Sequence, residues 1–222
     1  MKALLWKEWK ESWLNFLFSI LVLFILKTLN WYIQHEYPAF EELGGNREGF
    51  MLVTFLFISV YGLITGIGMF AMEYTTRTIP YLLTRPISRI NIVSSKWLVG
   101  MGEILVLGVI AWVLAGKVEP HEIVIWNNLP LSSFPVYLIM TLLFPVFFYF
   151  LAVLSSLILR DTTRSTVLAF ILVILVIAVR VSIADHVHYL PDYAVLMGLV
   201  ELLFATLLLV LVSTIIFLRQ QS

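Results

Sequence analysis

Six apolar runs set the limits on what this chain can fold into. They fall at about 14–33, 50–72, 97–116, 135–159, 165–184 and 193–218. Each has about the 20 residues that a helix needs to cross a bilayer, or more. The hydrocarbon region offers no water to backbone N–H and C=O groups, so each run is predicted to be a helix. Hydrophobic residues make up 61% of the 222, and charged ones 13%. A soluble domain has about half and about a quarter, so the apolar excess here is more than one soluble core would bury. The expected fold class is an all-α integral membrane protein, with one transmembrane domain over 1–222. No Gly/Ser linker, short-period repeat or low-complexity tract divides it.

The chain begins MKALLWKEWKESW. Lysines and glutamates are spread along it and no small-residue cleavage site follows the first apolar run, which is unlike a cleavable signal. Leu5, Trp9, Trp13 and Phe16 recur at helical spacing, with Lys7, Glu8, Lys10 and Glu11 on the other side. This pattern predicts an amphipathic helix over 1–13 in the interface plane, its tryptophans at headgroup depth. The plainer alternative is an extension of the first span. In the second span Gly62 and Gly66 form a GxxxG pair, which suits close helix approach. In the fourth, Pro135 is placed in the first turn and Pro145 predicts a kink. The chain has no cysteine, which removes disulfides, thiolate metal sites and thiol catalysis and leaves the redox compartment open.

Six spans put both termini on one side. That side carries Lys2, Lys7, Lys10, Arg77, Arg85, Arg89, Lys96, Arg160, Arg164 and Arg219, whereas the opposite loops carry only Arg47 and Lys117. The positive-inside rule then makes the termini and the 73–96 loop cytoplasmic, and the expected location is the cell inner (plasma) membrane. The formal net charge is zero, which gives no reason to expect nucleic acid as a partner.

Four ionisable residues fall within spans: Lys27, Glu103, Arg180 and Glu201. A charge at mid-membrane costs about 2.5–3.5 kcal/mol on insertion scales, so each needs a partner or a wet cavity. At about 1.5 Å per residue, Arg180 and Glu201 lie at similar depths in adjacent antiparallel spans, and a contact between them is expected. Lys27 is the competing partner for Glu201. Glu103 lies nearer the cytoplasmic side and is expected to be protonated or water-exposed. The plain structural alternative is that these residues only fix helix packing, or that Lys27 snorkels outward. The four histidines, His35, His121, His186 and His188, all fall in outer loops, and a spacing of two at His186 and His188 is too little for a metal site. Ser155 and Ser156 have no histidine at their depth, and GxSxG and HExxH are absent. There is no GxxxxGK[ST] phosphate loop. Gly44-Gly45-Asn46-Arg47 lacks the lysine and lies on the outer face. No catalytic residue is expected, and any work driven by ATP needs hydrolysis on another chain.

The longest polar, basic insertion is residues 73–96, EYTTRTIPYLLTRPISRINIVSSK. Glu73 is followed by Thr78, Leu82-Leu83, Pro86, Ser88-Arg89 and Lys96. In this order and spacing the loop resembles that of the ABC type-2 permease family, the membrane subunits of ATP-binding-cassette exporters. Arg77 stands where that family usually has glycine, and Pro80 precedes Leu82. The other features agree with the family along essentially the whole chain. The resemblance implies a dimer of six-span subunits, each with a nucleotide-binding ATPase subunit on its cytoplasmic side. That partner would hold ATP and Mg, with no cofactor in this chain. It also implies a short coupling helix in the loop, with Glu73, Thr78, Leu82, Leu83, Pro86, Ser88, Arg89 and Lys96 as ATPase-coupling residues. The residues themselves give a physical reason. Pro86 presets an early helical position, and Ile87, Ile90 and Val93 follow at helical spacing as an apolar strip for a partner's groove. An ordinary interfacial helix whose charges only set topology is the alternative.

The function expected is that of an exporter's membrane subunit, moving a lipophilic or amphipathic cargo by alternating access. The alternative is an ATP-independent secondary transporter or lipid-handling protein that uses Lys27, Glu103, Arg180 and Glu201 as a charge relay. Matched halves and broken helices would favour a secondary transporter, and no convincing internal symmetry is found. An intramembrane enzyme is the weakest reading, for want of a converging nucleophile, base or metal cluster.

Overall fold

The computed structural model describes residues 2–36, 45–76, 88–115, 133–186 and 191–219. Side chains are described in these segments except at 34, 45–49, 51, 133–141, 179–186 and 191–199. Six long helices account for nearly all of it, and no strand occurs among the described residues. They are α1 (Lys2–Glu36), α2 (Gly45–Ile67), α3 (Arg89–Ala115), α4 (Ser133–Leu159), α5 (Thr162–His186) and α6 (Pro191–Arg219). Beyond Ile67, α2 widens into a π turn, Gly68–Met72, and ends in one more α turn, Glu73–Thr75. Among the described residues, five stretches are long and apolar enough to cross a bilayer: Lys2–Ile33, Leu52–Thr75, Arg89–Ala115, Leu142–Leu159 and Val200–Arg219. The apolar stretch found in α5, Thr162–Ala178, is shorter.

Two expectations about the ends of spans are corrected. Residues 2–13 do not form a separate helix in the interface plane, because α1 runs unbroken from Lys2 to Glu36. Its inner face is also not the one that hydropathy suggests. Leu4, Glu8, Phe16, Ser19 and Leu23 are buried, while Trp6, Trp9 and Trp13 are exposed. A buried cation on α3 draws Glu8 inward, as described below, and the tryptophans turn outward in consequence. Similarly, α3 begins at Arg89 rather than near Trp97, so Ile90 and Val93 belong to its first turns, while residues 77–87, where the rest of the coupling helix is expected, lie outside the described residues. The Ser88 carbonyl accepts from Asn91 N–H at 2.9 Å and Ile92 N–H at 3.3 Å, which opens that helix.

α4 is the central helix and packs against α2, α3, α5 and α6, whereas α1 packs on α3 and α2. Its Tyr149, Ala152, Val153 and Leu157 are fully buried, and the helix continues through Pro145. Gly62 and Gly66 bring α2 against it. A Cβ on Gly62 would lie 2.9 Å from the Pro145 carbonyl oxygen, and one on Gly66 would lie 2.5 Å from that of Tyr149. The core is aromatic. Phe70 meets Phe217 of α6 with ring centroids 5.5 Å apart, and Trp97 meets Phe150 edge-on at 5.4 Å. Such pairs add about 0.5–1.5 kcal/mol beyond the area they bury.

α4 and α5 join through a tight turn at Arg160 and Asp161. Arg160 has φ of 52°, a left-handed conformation that costs a non-glycine residue about 1–2 kcal/mol. Its N–H donates to the Ser156 carbonyl at 3.0 Å and closes α4.

Candidate functional site

The end of the bundle that holds the start of α1, the end of α2 and the start of α3 contains a cluster of buried charges. Lys96 is its centre, with 1% of its surface exposed. It lies two turns inside α3, where its side chain is buried. Its Nζ lies 2.8 Å from Glu8 Oε2 on α1 and 2.7 Å from Glu73 Oε1 at the end of α2. Glu8 is 6% exposed and Glu73 9%. Lys7, on the outer side, reaches Glu73 at 3.3 Å, Glu11 at 3.3 Å and Glu8 at 3.5 Å. Lys96 also lies over the Phe70 ring, 5.8 Å from its centroid. A buried ion needs a close partner to offset its desolvation. The three segments therefore hold one another in place electrostatically.

Glu8, Glu11 and Glu73 each bring a carboxylate oxygen within 4.8 Å of the others. The ammonium groups of Lys7 and Lys96 sit among them, and the cluster reads as an ion-pair network. Glu73 Oε2 is buried without a hydrogen-bond partner.

The π turn explains how Glu73 comes to face the cluster. Seven residues separate it from Gly66, close to two turns at about 3.6 residues per turn. In a regular helix Glu73 would follow Gly66 onto α4 and bury its carboxylate against an apolar surface. The wider turn over Gly68–Met72 rotates the last turn of α2 so that Glu73 meets Lys96 and Lys7 instead. Within the π turn Met69, Phe70 and Ala71 are buried. The Tyr149 hydroxyl donates to Met69 Sδ at 2.9 Å and lies 3.4 Å from the Lys96 carbonyl oxygen. This links the turn to both α4 and α3.

A second polar contact lies deeper. Glu103 follows Lys96 by two turns, about 10 Å, on the same face of α3. It is not water-exposed, with only 1% of its surface accessible. Tyr61 of α2 donates to its Oε2 at 2.7 Å, and Ser12 of α1 donates to its Oε1. Glu8 and Ser12 are one turn apart on α1, so the cluster and Glu103 form one polar seam between α1, α2 and α3.

Of the residues expected at the coupling site, the structure thus brings Glu73 and Lys96 together. Ser88 and Arg89 lie exposed at the start of α3. Thr78, Leu82, Leu83 and Pro86 lie outside the described residues. Among the intramembrane charges, Lys27 is half-buried with its Nζ over the Phe50 ring, 5.1 Å from the centroid. Glu201 is on an exposed face of α6. The expected contact of Arg180 with Glu201 lies outside the described side chains, as do His186 and His188.

Lys7, Glu8, Ser12, Tyr61 and Tyr149 were not anticipated as site residues. Glu8 and Lys96 are 88 positions apart, and no local pattern links them. The usable signal was a lysine and a glutamate, Lys96 and Glu103, seven apart in one apolar helix, which demanded polar partners on a neighbour.

A family model described as "ABC-2 family transporter protein" matches residues 3–221. No curated protein and no solved structure matches the chain.

Proposed function

Because the chain belongs to the ABC-2 family of transporter proteins, we propose that it is the membrane subunit of an ATP-binding-cassette exporter. Two such subunits, identical or paralogous, pair in the inner membrane with six spans each and with their termini in the cytoplasm. ATP and Mg are bound by a separate nucleotide-binding subunit, which grips the loop around residues 77–87. The cargo is lipophilic or amphipathic, in keeping with helices whose mid-membrane charges are few. The observation that carries this reading is the Glu73–Lys96 ion pair at 2.7 Å. It ties together the two ends of the loop, and Lys7 and Glu8 tie both to α1. A pull on the loop would then move α1, α2 and α3 together, as alternating access requires.

A charge relay without ATP has less support. Glu103 is engaged by Ser12 and Tyr61, and Lys27 by Phe50, so these two belong to different contacts. The deciding experiment is purification of the chain together with a phosphate-loop ATPase, which the reading expects among the neighbouring genes. A stable complex is expected, in which replacement of Leu82, Leu83 and Arg89 by alanine leaves ATP hydrolysis but abolishes transport. Failure of the wild-type chain to form that complex sinks the reading.

A further inference from the structure

Lys27 lies toward the end of α1 opposite the charge cluster. It follows Glu8 by 19 residues, about 29 Å along the helix, and the hydrocarbon core of a bilayer is about 30 Å thick. With the Glu8 cluster at one membrane boundary, Lys27 stands at the other, at the depth of headgroup phosphates. Its side chain is half-buried, and its Nζ lies over the Phe50 ring, 5.1 Å from the centroid. Phe50 is 4% exposed and packs in one cluster with Trp112 and Ala115 of α3, so the ring is a fixed floor beneath the ammonium. A ring face takes one side of an ammonium that carries three N–H donors. Among the described residues no carboxylate lies within ion-pair distance of Lys27, and no hydrogen bond reaches it. The next acid along α1, Glu36, is nine residues on, about 13 Å. Asn30, one turn beyond Lys27 on the same side of α1, is half-buried too, and its amide has no hydrogen-bond partner among the described residues. Trp31, the other one-turn neighbour, is 63% exposed and stacks on His35 with ring centroids 5.6 Å apart.

We propose that this end of α1 holds the headgroup of an anionic phospholipid, with Lys27 as the ion-pair partner of its phosphate and the Asn30 amide and Trp31 indole N–H as further donors. A cation at this depth needs a counter-ion, and the described protein supplies none. The occupant is a lipid because the donors lie at a membrane boundary, and phosphate oxygens are the acceptors found at that depth. A topology signal does not account for Lys27, since the expected topology puts it on the outer side, where lysine is disfavoured. An outward-reaching lysine would need neither a buried aromatic floor nor a neighbouring unpaired amide. The proposal goes beyond the exporter reading and needs no ATPase, so either can fail alone.

The probe is phosphatidylglycerol, whose headgroup has a net negative charge, with zwitterionic phosphatidylcholine as the control. The full chain is purified in detergent with each lipid, and the lipid retained per chain is counted by native mass spectrometry. Lys27→Met should lower the affinity for phosphatidylglycerol about ten-fold and Asn30→Leu about three-fold, with Lys27→Arg close to the wild type. Phosphatidylcholine retention should be alike in all of them. Lys10→Met, which removes an exposed lysine at the other end of α1, should retain phosphatidylglycerol as the wild type does. The proposal is overturned if Lys27→Met also does so, or if Lys10→Met loses as much, which would make the effect one of general charge. It is equally overturned if inorganic phosphate displaces the lipid, which would make this a site for a soluble anion. Should Lys27→Met fail to fold, Asn30→Leu decides, because it leaves the charge in place, and unchanged retention there rejects the site.

Discussion

Lys96 is buried between Glu8 and Glu73, and removing its charge leaves both carboxylates uncompensated. Lys96→Met should therefore destabilise the chain by about 3–5 kcal/mol, read as loss of the folded fraction in a detergent unfolding titration. Glu8→Gln alone should cost less, since Lys96 keeps Glu73. A double-mutant cycle on Glu8 and Lys96 should give a coupling energy of about 0.5–3 kcal/mol, and zero coupling would mean that the pair is incidental. The glycines give a contrast in the same assay. Gly66→Ala meets the Tyr149 carbonyl oxygen at 2.5 Å and should cost about 1–3 kcal/mol by forcing α2 from α4. Gly68→Ala meets nothing within 4 Å and should be neutral or stabilising by up to about 1 kcal/mol. The difference between them was half legible. The spacing of Gly62 and Gly66 marks a packing face, but only the packed structure shows what that face meets. The partners of Lys96 were illegible because they come from segments remote in sequence.

At the scale of the element, the helices follow the hydropathy of the chain. α6 spans Pro191–Arg219 against an expected 193–218, and α4 spans Ser133–Leu159 against 135–159. Where a run ends in polar residues with buried partners, hydropathy misplaces the boundary. α1 and α3 extend well beyond their apolar runs because Glu8 and Lys96 satisfy each other inside the bundle. The π turn leaves no trace in composition, since GMFAM would suit any apolar helix. Its role is testable by register. Deleting Gly68, whose added Cβ would touch nothing, should restore regular α geometry and swing Glu73 off Lys96. The deletion should then destabilise the chain about as much as Glu73→Gln does. Combining the two should cost little more than either alone. Additive losses would mean that the π turn does not position Glu73.

At the scale of the whole molecule, the charge cluster makes α1, the end of α2 and the start of α3 one body under the proposed mechanism. The absence of cysteine allows clean labelling. Spin labels on exposed Lys10 and Ser88 should keep the same separation through nucleotide binding and hydrolysis in the reconstituted complex. A shift between nucleotide states would show that the cluster opens during the cycle. The order of synthesis gives the same cluster a further consequence. Glu8 is made 88 residues before Lys96. At about 5–20 residues per second, α1 waits several seconds in the insertion machinery without the buried cation that Glu8 meets in the finished bundle. α1 is thus settled only once α3 has been made, and nascent chains halted before Lys96 should leave α1 held by the insertion apparatus.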